Sequence, residues 1–134
     1  MEAATKQFRK RNAILECLRM TDTHPSADMV HEMLRPEHPD ISLATVYRNL
    51  ARFKSQGLIQ SVATVRGIER FDANTEPHVH FICTGCDAVL DLHQIQVPEA
   101  LNSNVEKTSG CRVESCQLSF TGLCGSCNPQ EIRE

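Results

Sequence analysis

The sequence lacks any long apolar run. No stretch of about 18 apolar residues occurs, so nothing in it predicts a membrane span. The first segment, MEAATKQFRKRNAIL, also lacks the continuous apolar core of a secretory signal, which favours a cytoplasmic protein. A chain of 134 residues can bury roughly two thirds of its unfolded surface, so one or two small domains fit.

The sequence does not predict a disulfide framework either, although the chain has seven cysteines. A protein that stays in a reducing compartment keeps its thiols free or uses them as metal ligands. The odd number of cysteines agrees with this interpretation, since it cannot be divided completely into pairs. Metal binding is therefore the first hypothesis for the role of these cysteines.

The first third of the chain has helical periodicity. An apolar stripe over residues 5–20 predicts helix one, and Ser26 can cap a short helix two. Four side chains of helix two are predicted to face inward: Met29, Val30, Met33 and Leu34. Helix three begins after Ser42 and stops at Gly57, a residue type that commonly ends helices.

Two extended runs, LIQSVATV and IERFD, flank the dipeptide RG. This pattern predicts a β-hairpin about a tight turn. Three helices followed by a hairpin make a winged helix, in which the second helix of the helix-turn-helix motif enters the DNA major groove. Residues 1–72 are therefore predicted to form a DNA-binding domain.

The basic side chains concentrate in this first segment. Residues 1–72 hold 11 Lys/Arg and 9 Asp/Glu, whereas residues 73–134 hold 3 and 8. Most lysines and arginines on helices are merely solvated, and a net charge of +2 is a weak electrostatic footprint for nucleic acid. The candidate DNA contacts, to bases or to phosphates, are Arg9, Lys10, Arg11, Thr45, Tyr47, Arg48, Asn49 and Arg52.

Two CxxC pairs mark the second half, CTGC at 83–86 and CGSC at 124–127. Four thiolates can close around one Zn²⁺, which would stabilise a domain with few core residues. A redox dithiol is the alternative for these cysteines. The predicted ligands of a structural, non-catalytic zinc are Cys83, Cys86, Cys124 and Cys127. A polar hinge over 73–77 and a small α+β domain over 78–134 complete the predicted organisation, with a short helix starting at Pro98 and a strand over RVESCQLSFTGLC.

A pair of histidines stands just upstream of the first cysteine pair. Side chains alternate along a strand, so His78 and His80 point to the same face and can present two imidazoles to one ion. Asp72 and Asp91 offer oxygen donors, and this mixture suits Fe²⁺ or Mn²⁺ more than structural zinc. His24 is a further candidate, although alone it would be interpreted as a residue flanking a helix.

Three cysteines and three histidines are left over. Cys17 lies on the apolar face of helix one and is interpreted as a small core residue. Cys111 and Cys116 lie on or beside a predicted strand. For these two cysteines a packing role is favoured over a thiol switch, and both interpretations stay open. No role is assigned to His31, His38 and His93.

Taken in order, the segments HPSADMV, SLATVYRNL, GLIQ, RFD, HVHFICTGC and GLCGSC resemble the ferric uptake regulator (Fur) family of bacterial metal-dependent repressors. The resemblance covers nearly the whole chain and is greatest to the peroxide-sensing (PerR-type) branch. It implies a homodimer on a palindromic DNA operator. It also implies a structural Zn²⁺ on the four cysteines and a regulatory Fe²⁺ or Mn²⁺ on His24, Asp72, His78, His80 and Asp91.

By the same resemblance, the regulatory ion fixes the angle between the two domains, and peroxide oxidises a histidine ligand when iron is bound. Iron-sensing members usually carry glutamate at the carboxylate positions, and zinc-sensing members recruit a thiolate. An iron- or zinc-homeostasis repressor without peroxide sensing is therefore the alternative. Members usually carry an extra helix before KRNAIL, so we expect reduced DNA affinity here.

A metalloenzyme is the third hypothesis, because a histidine and aspartate site can also serve catalysis. An enzyme needs a substrate pocket and a general base near an open metal position. The sequence places no spare acid or base with the candidate metal ligands. We therefore expect that the protein is not an enzyme.

Overall fold

The computed structural model of the chain describes residues 2–76 and 78–129, with side chains described from Lys6 onward. Pro77, which belongs to the predicted hinge, lies outside the described residues, as do residues 1 and 130–134 of the two predicted domains. The chain divides into two compact units, the first ending at Thr75 and the second beginning at Glu76.

The first unit has three helices and a two-stranded hairpin. Its elements are α1 (Glu2–Arg19), α2 (Ala27–Leu34), α3 (Leu43–Ser55), β1 (Gln60–Val65) and β2 (Ile68–Asp72). The Ser26 hydroxyl accepts a hydrogen bond from the Met29 N–H, and the Ser42 hydroxyl accepts one from the Thr45 N–H. Both serines therefore cap their helices as predicted, since each satisfies an N–H that the first helical turn leaves without a partner.

The core of this unit lies among the three helices and the hairpin. It is built from buried apolar residues that include Ile14, Leu18, Val30, Val46, Leu50 and Phe53. The prediction that Met29 and Met33 point inward is wrong, because these side chains are 37% and 45% exposed. An eight-residue helix presents only a narrow face to the core, and Ala27, Val30 and Leu34 occupy it.

The hairpin is antiparallel and turns at Arg66 and Gly67, both of which have positive φ. A two-residue turn of this kind matches the right-handed twist of the flanking strands. Lys54 of α3 donates to Glu69 of β2 over 2.7 Å, which ties the hairpin to the helix. These elements confirm the winged helix that the sequence predicted.

The second unit is a three-stranded sheet with one helix. Its elements are β3 (Val79–Cys83), β4 (Val89–Leu92), α4 (Glu99–Ser109) and β5 (Leu118–Gly122). The strand order is β4-β3-β5, with β3 antiparallel to β4 and parallel to β5. The mixed α+β fold predicted from the sequence is confirmed, and no helix in the described part of the chain is long and apolar enough to cross a bilayer.

Two local predictions for the second unit need correction. The helix near Pro98 is not short, since it runs from Glu99 for 11 residues to Ser109 and ends at Gly110 in the left-handed conformation. The predicted strand over 112–124 is confined to Leu118–Gly122, and residues 111–117 are irregular. The alternation in RVESC predicts a strand, but residues 111–117 form none in the structure.

Candidate metal centres and nucleic-acid surface

The four cysteines of the CxxC pairs come together at one end of β3. Cys83 ends β3, and the parallel pairing of Cys83 with Gly122 brings the segment after β5 alongside it. The four sulfur atoms all lie within 4.8 Å of one another, and the Sγ atoms of Cys86 and Cys124 are 3.8 Å apart. Sulfurs bound tetrahedrally at about 2.3 Å from zinc would be about 3.8 Å apart, so the cluster fits a zinc ion.

Three backbone N–H groups point at the sulfur of Cys83. They belong to Cys124, Cys86 and Gly85, at distances of 3.3, 3.4 and 3.3 Å. Hydrogen bonds from these groups, that of Cys124 foremost, lower the pKa of Cys83 to about 6. The neighbouring sulfurs, Cys83 first, raise the pKa of Cys127 to about 12. Cys127 therefore keeps its proton at neutral pH unless a cation is bound, and a divalent metal would allow all four sulfurs to be thiolates.

Gly85 is needed by the close packing of the cluster. A Cβ atom at this position would lie 3.0 Å from the sulfur of Cys127 and 3.2 Å from its Cβ. That is closer than side-chain carbons normally approach one another. The glycine of CTGC therefore allows the second cysteine pair to approach the first.

His24 and Asp72 form a pair within the first unit. The Nε2 atom of His24 lies 3.2 Å from Oδ2 of Asp72, and their side chains are 1% and 10% exposed. The other carboxylate oxygen, Oδ1, accepts from the N–H of Asn74 over 2.9 Å. This bond orients the carboxylate, so that one oxygen faces the imidazole.

The backbone of His24 is held in an uncommon conformation by Arg70. His24 has φ of 54°, a left-handed value that costs a non-glycine residue on the order of 1 kcal/mol. The buried Arg70 guanidinium donates to the carbonyls of His24 and Thr23, at 2.5 and 3.0 Å. The Phe71 N–H also donates to the carbonyl of Pro25 over 3.0 Å. Strand β2 thus fixes the loop that carries His24.

The second unit presents two imidazoles to one carboxylate oxygen. His80 on β3 lies directly opposite Asp91 on β4 in the antiparallel register. The Nε2 atoms of His78 and His80 lie 3.0 and 3.2 Å from Oδ1 of Asp91. Donor atoms about 2.1 Å from a common ion and at right angles to each other lie about 3.0 Å apart. The spacing therefore fits a metal ion shared by these three side chains.

The hydrogen bonding of His78 is compatible with a shared metal ion. Its Nδ1 atom lies 2.6 Å from the carbonyl oxygen of Glu76, which can only accept, so Nδ1 must carry the hydrogen. In a neutral ring, Nε2 then turns its lone pair toward the negative oxygen of Asp91 at 3.0 Å. A metal ion bound between Nε2 and the carboxylate oxygen would accept this lone pair.

A basic cleft lies between α1 and α3 of the first unit. Its volume is about 260 Å³, and its lining residues are Gln7, Lys10, Arg11, Thr45, Arg48, Asn49 and Arg52. Among the residues whose side chains the structure describes, no carboxylate lines it. Six of the eight predicted DNA contacts therefore lie together here, and Gln7 is the one other lining residue named. The cleft can accept an anion such as a phosphate group.

Two further predicted DNA contacts lie elsewhere. Tyr47 lines a different groove beside α2 and the hairpin, and its hydroxyl donates to Asp28 over 3.2 Å. The Asp28 charge raises the pKa of Tyr47, so the hydroxyl stays protonated at neutral pH. Arg9 makes a 3.7 Å ion pair with Asp40 rather than lining the cleft. Arg48, which lines the cleft, is exposed on α3 next to Tyr47.

Two residues with a place in these sites were missed by the sequence reasoning, namely Arg70 and His93. Each lies two positions from a predicted carboxylate ligand on a strand, Arg70 before Asp72 and His93 after Asp91. Strand alternation places Arg70 on the same face as Asp72, whereas His93 follows the end of β4, where no alternation fixes its direction. The Nε2 atom of His93 lies 3.6 Å from Oδ2 of Asp91.

The leftover cysteines take no part in either cluster. Cys111 is exposed and Cys116 half-buried, and both lie in the irregular segment before β5. Cys17 packs against the core of the first unit, as predicted, and burial raises the pKa of its thiol. A thiol with a raised pKa reacts slowly at neutral pH.

The contacts of Arg70 predict a role in metal binding. Arg70→Lys keeps the charge but loses the forked donation to two carbonyls, so His24 should no longer be held in place. We expect Mn²⁺ affinity to fall roughly tenfold, the usual effect of losing an outer-shell partner. Isothermal titration of the purified protein measures this. The exposed Arg19→Lys variant is the matched control, and equal affinities for all three proteins would contradict the role of Arg70.

Comparisons with known proteins agree with this arrangement. The model of the ferric uptake regulator family matches residues 2–121. The peroxide-responsive repressor PerR of Staphylococcus saprophyticus is 35% identical over 118 residues, covering 88% of this chain and 79% of that repressor. The Campylobacter jejuni peroxide stress regulator has a TM-score of 0.79 at 28% identity, covering 94% of each chain. For the Francisella tularensis ferric uptake regulator with iron, the TM-score is 0.73 at 29% identity, covering 88% of this chain and 90% of that one. On this evidence, together with its winged helix and its cysteine cluster, the chain belongs to the ferric uptake regulator family.

Proposed function

We propose that this protein is a metal-dependent transcriptional repressor that senses peroxide through oxidation of a histidine ligand. The observation that carries the proposal is the division of candidate donors between the two units. His24 and Asp72 belong to the first unit, and His78, His80 and Asp91 belong to the second. A single ion bound by both groups would couple metal binding to the position of the DNA-binding unit.

The cysteine cluster is proposed to hold a structural Zn²⁺. The second unit has few buried apolar residues, and no residue of α4 is buried, so its sheet needs a further source of stability. A structural zinc supplies on the order of 10 kcal/mol of folding free energy. The alternative, a redox dithiol, fits less well because all four sulfurs surround one point instead of forming two separate pairs.

Iron or manganese is proposed for the histidine and aspartate site. Two histidines and one carboxylate on one side of an ion are typical of non-haem Fe²⁺ sites, which keep other coordination positions open. His78, His80 and Asp91 provide that set within the second unit. His24 and Asp72 would complete the coordination from the first unit. The bound ion would thus select one orientation about residues 73–77.

DNA is proposed as the ligand of the first unit. Arg48 and the two exposed alanines beside it, Ala44 and Ala51, form the outward face of α3, where small side chains allow close approach to base edges. The basic cleft beside this face suits one backbone phosphate. Tyr47 flanks the opposite side, within reach of a phosphate or a thymine methyl group.

A homodimer is proposed because the second unit exposes an apolar surface. Its exposed large apolar side chains are Leu90, Ile95, Val105, Phe120 and Leu123. An isolated helix as short as α4 is unstable in water unless it packs against something. A second copy would cover these residues, and two recognition helices about 34 Å apart would match a palindromic operator.

Peroxide would be sensed by the imidazoles of the site. Bound Fe²⁺ would supply the one-electron chemistry that cleaves peroxide. In the overall reaction the ring is oxidised by two electrons: one peroxide oxygen is added at a ring carbon and the other leaves as water. His24 and His78 are the proposed targets. An oxidised ring is a poorer donor, so the link between the units would be lost.

The alternative is an iron- or zinc-homeostasis repressor of the same family without peroxide sensing. The Francisella tularensis regulator, which was solved with iron, is an example of a related fold in another role. The two aspartates, Asp72 and Asp91, favour peroxide sensing here, because iron-sensing members usually carry glutamate at those positions. An enzymatic role is not proposed, since the family is one of regulators.

The zinc proposal predicts one tightly held Zn²⁺ per chain that survives dialysis against a mild chelator. Cys83→Ser and Cys124→Ser should lose this zinc and the dimer together, because the metal holds β3 to the segment after β5. Elemental analysis and light scattering measure the two properties. Cys111→Ser is the matched control and should keep both. A dimer of normal stability without zinc would refute the assignment.

The DNA proposal separates two kinds of variant. Tyr47→Ala should weaken binding to an operator selected from random duplexes, while both metal sites stay filled. Asp91→Ala should lose the metal dependence of DNA binding, although the recognition helix is intact. Fluorescence anisotropy at several salt concentrations measures both, with the exposed Arg112→Ala of the second unit as a control. If Tyr47→Ala binds as tightly as the parent, the wrong helix has been placed in the groove.

The peroxide proposal predicts where an oxygen atom is added. After brief peroxide treatment of the Fe²⁺ form, peptide mass spectrometry should find one added oxygen on the peptide containing His24 or His78, together with loss of DNA binding. The Mn²⁺ form should resist, because that ion does not readily drive the same one-electron chemistry. Oxidation of Cys111 and Cys116 with either metal, sparing the histidines, would instead show a thiol switch.

A further inference from the structure

His93 lies at the rim of the histidine and aspartate cluster of the second unit. Its Nε2 atom is 3.6 Å from Oδ2 of Asp91, whereas His78 and His80 approach the other oxygen, Oδ1. The rings of His93 and His78 are stacked, with an interplanar angle of 19° and centroids 6.1 Å apart. The carboxylate of Asp91 is therefore shared, with one oxygen directed to the inner pair and the other to His93.

The strand register explains why His93 is there. In the β3–β4 pairing, Val79 is opposite Leu92 and His80 is opposite Asp91. His78 lies just before β3 and His93 just after β4, next to the paired residues Val79 and Leu92, and their stacked rings agree with this proximity. The pairing of the two strands therefore brings the backbones of the two histidines near each other.

Exposure separates His93 from the other members. The side chains of His78, His80 and Asp91 are only 9%, 7% and 14% exposed, whereas His93 is 69% exposed. A hydrated cation in solution can exchange a water molecule for an exposed imidazole, but it cannot reach a buried one while it keeps its hydration shell. Of these four side chains, His93 is the one best placed to meet such an ion first.

We propose that His93 and the Oδ2 atom of Asp91 form a loading site, where a divalent cation binds before it passes to His78, His80 and Oδ1. This inference rests on the regulatory metal site proposed above. Passing from one oxygen of a carboxylate to the other moves the ion by little more than the distance between the two oxygens. No donor has to be released before the next one is engaged, because Asp91 belongs to both sites.

A loading ligand has a distinct kinetic effect. It lowers the barrier between free and fully bound ion, so it accelerates association and dissociation by the same factor and leaves the Kd unchanged. A permanent ligand would instead change the Kd. An outer-shell partner that only orients Asp91 would also change the Kd, typically by about 10–100-fold. Rates and equilibrium together therefore distinguish the three roles.

The test uses the full-length, zinc-loaded protein and Mn²⁺, an ion that prefers carboxylate and imidazole to thiolate. Stopped-flow competition with a fluorescent Mn²⁺ chelator measures association and dissociation rates of the parent, of His93→Gln and of the control His38→Gln. We expect both rates of His93→Gln to fall roughly tenfold, which is a barrier change of about 1.4 kcal/mol, with an unchanged Kd. The control should match the parent.

Two results would overturn the loading role alone: rates of His93→Gln equal to those of the parent, or a weakened Kd with an unchanged association rate. A separate arm tests the underlying site. If Asp91→Ala still binds Mn²⁺ as tightly as the parent, the proposed regulatory site itself is wrong. Because His93 is exposed, its substitution should leave folding intact, which circular dichroism of each variant checks.

Discussion

The second unit depends on the hydrogen bonding of β3 along both of its edges. One edge pairs antiparallel with β4 and sets Asp91 against His80, and the other pairs parallel with β5 and brings Cys124 beside Cys83. The histidine cluster and the cysteine cluster are thus at opposite ends of one five-residue strand. A parallel pair cannot be closed by a tight turn, so α4 and the segment after it connect the strands, and the cysteine cluster fastens the far end.

In the first unit the corresponding element is β2. This strand completes the wing hairpin, and it also carries Arg70, which holds the His24 loop, and Asp72, which faces the His24 imidazole. Strand β2 therefore connects the wing hairpin to two of the candidate metal donors, His24 and Asp72. Lys54 ties the same hairpin to α3. This shared segment is a physical basis for coupling between metal and DNA, which the proposed function requires.

Features with local causes could be predicted from the sequence. Ser26 and Ser42 cap their helices, and the Arg66–Gly67 turn reverses the hairpin, because each depends on residues only a few positions away. The four cysteines assemble as their spacing indicated. By contrast, Met29 and Met33 were placed inward wrongly, since the helical pattern does not tell how wide the buried face is.

Features that depend on distant partners could not be predicted. The irregular course of residues 111–117 reflects the lack of a neighbouring strand among the described residues, which no local alternation reveals. Arg70 stabilises carbonyls 46 and 47 positions away in the chain, and His93, in the turn after β4, lies near the histidine cluster because β4 pairs with β3. Neither residue was assigned a role from the sequence. Their two-residue spacing from the aspartates acquires meaning once the pairing is known.

The cysteine cluster and the histidine and aspartate cluster differ in chemistry, and each suits a different kind of bound metal ion. Four sulfurs around one point leave no coordination position for water or substrate, and a closed site of this kind releases its metal slowly. The histidine and aspartate donors are harder ligands, and they are divided between two units that residues 73–76 and 78 connect. The sulfur set suits the structural ion proposed above, and the nitrogen and oxygen set suits the proposed regulatory ion. The two ends of β3 therefore carry donor sets of different chemistry, four sulfurs at one end and histidine with aspartate at the other.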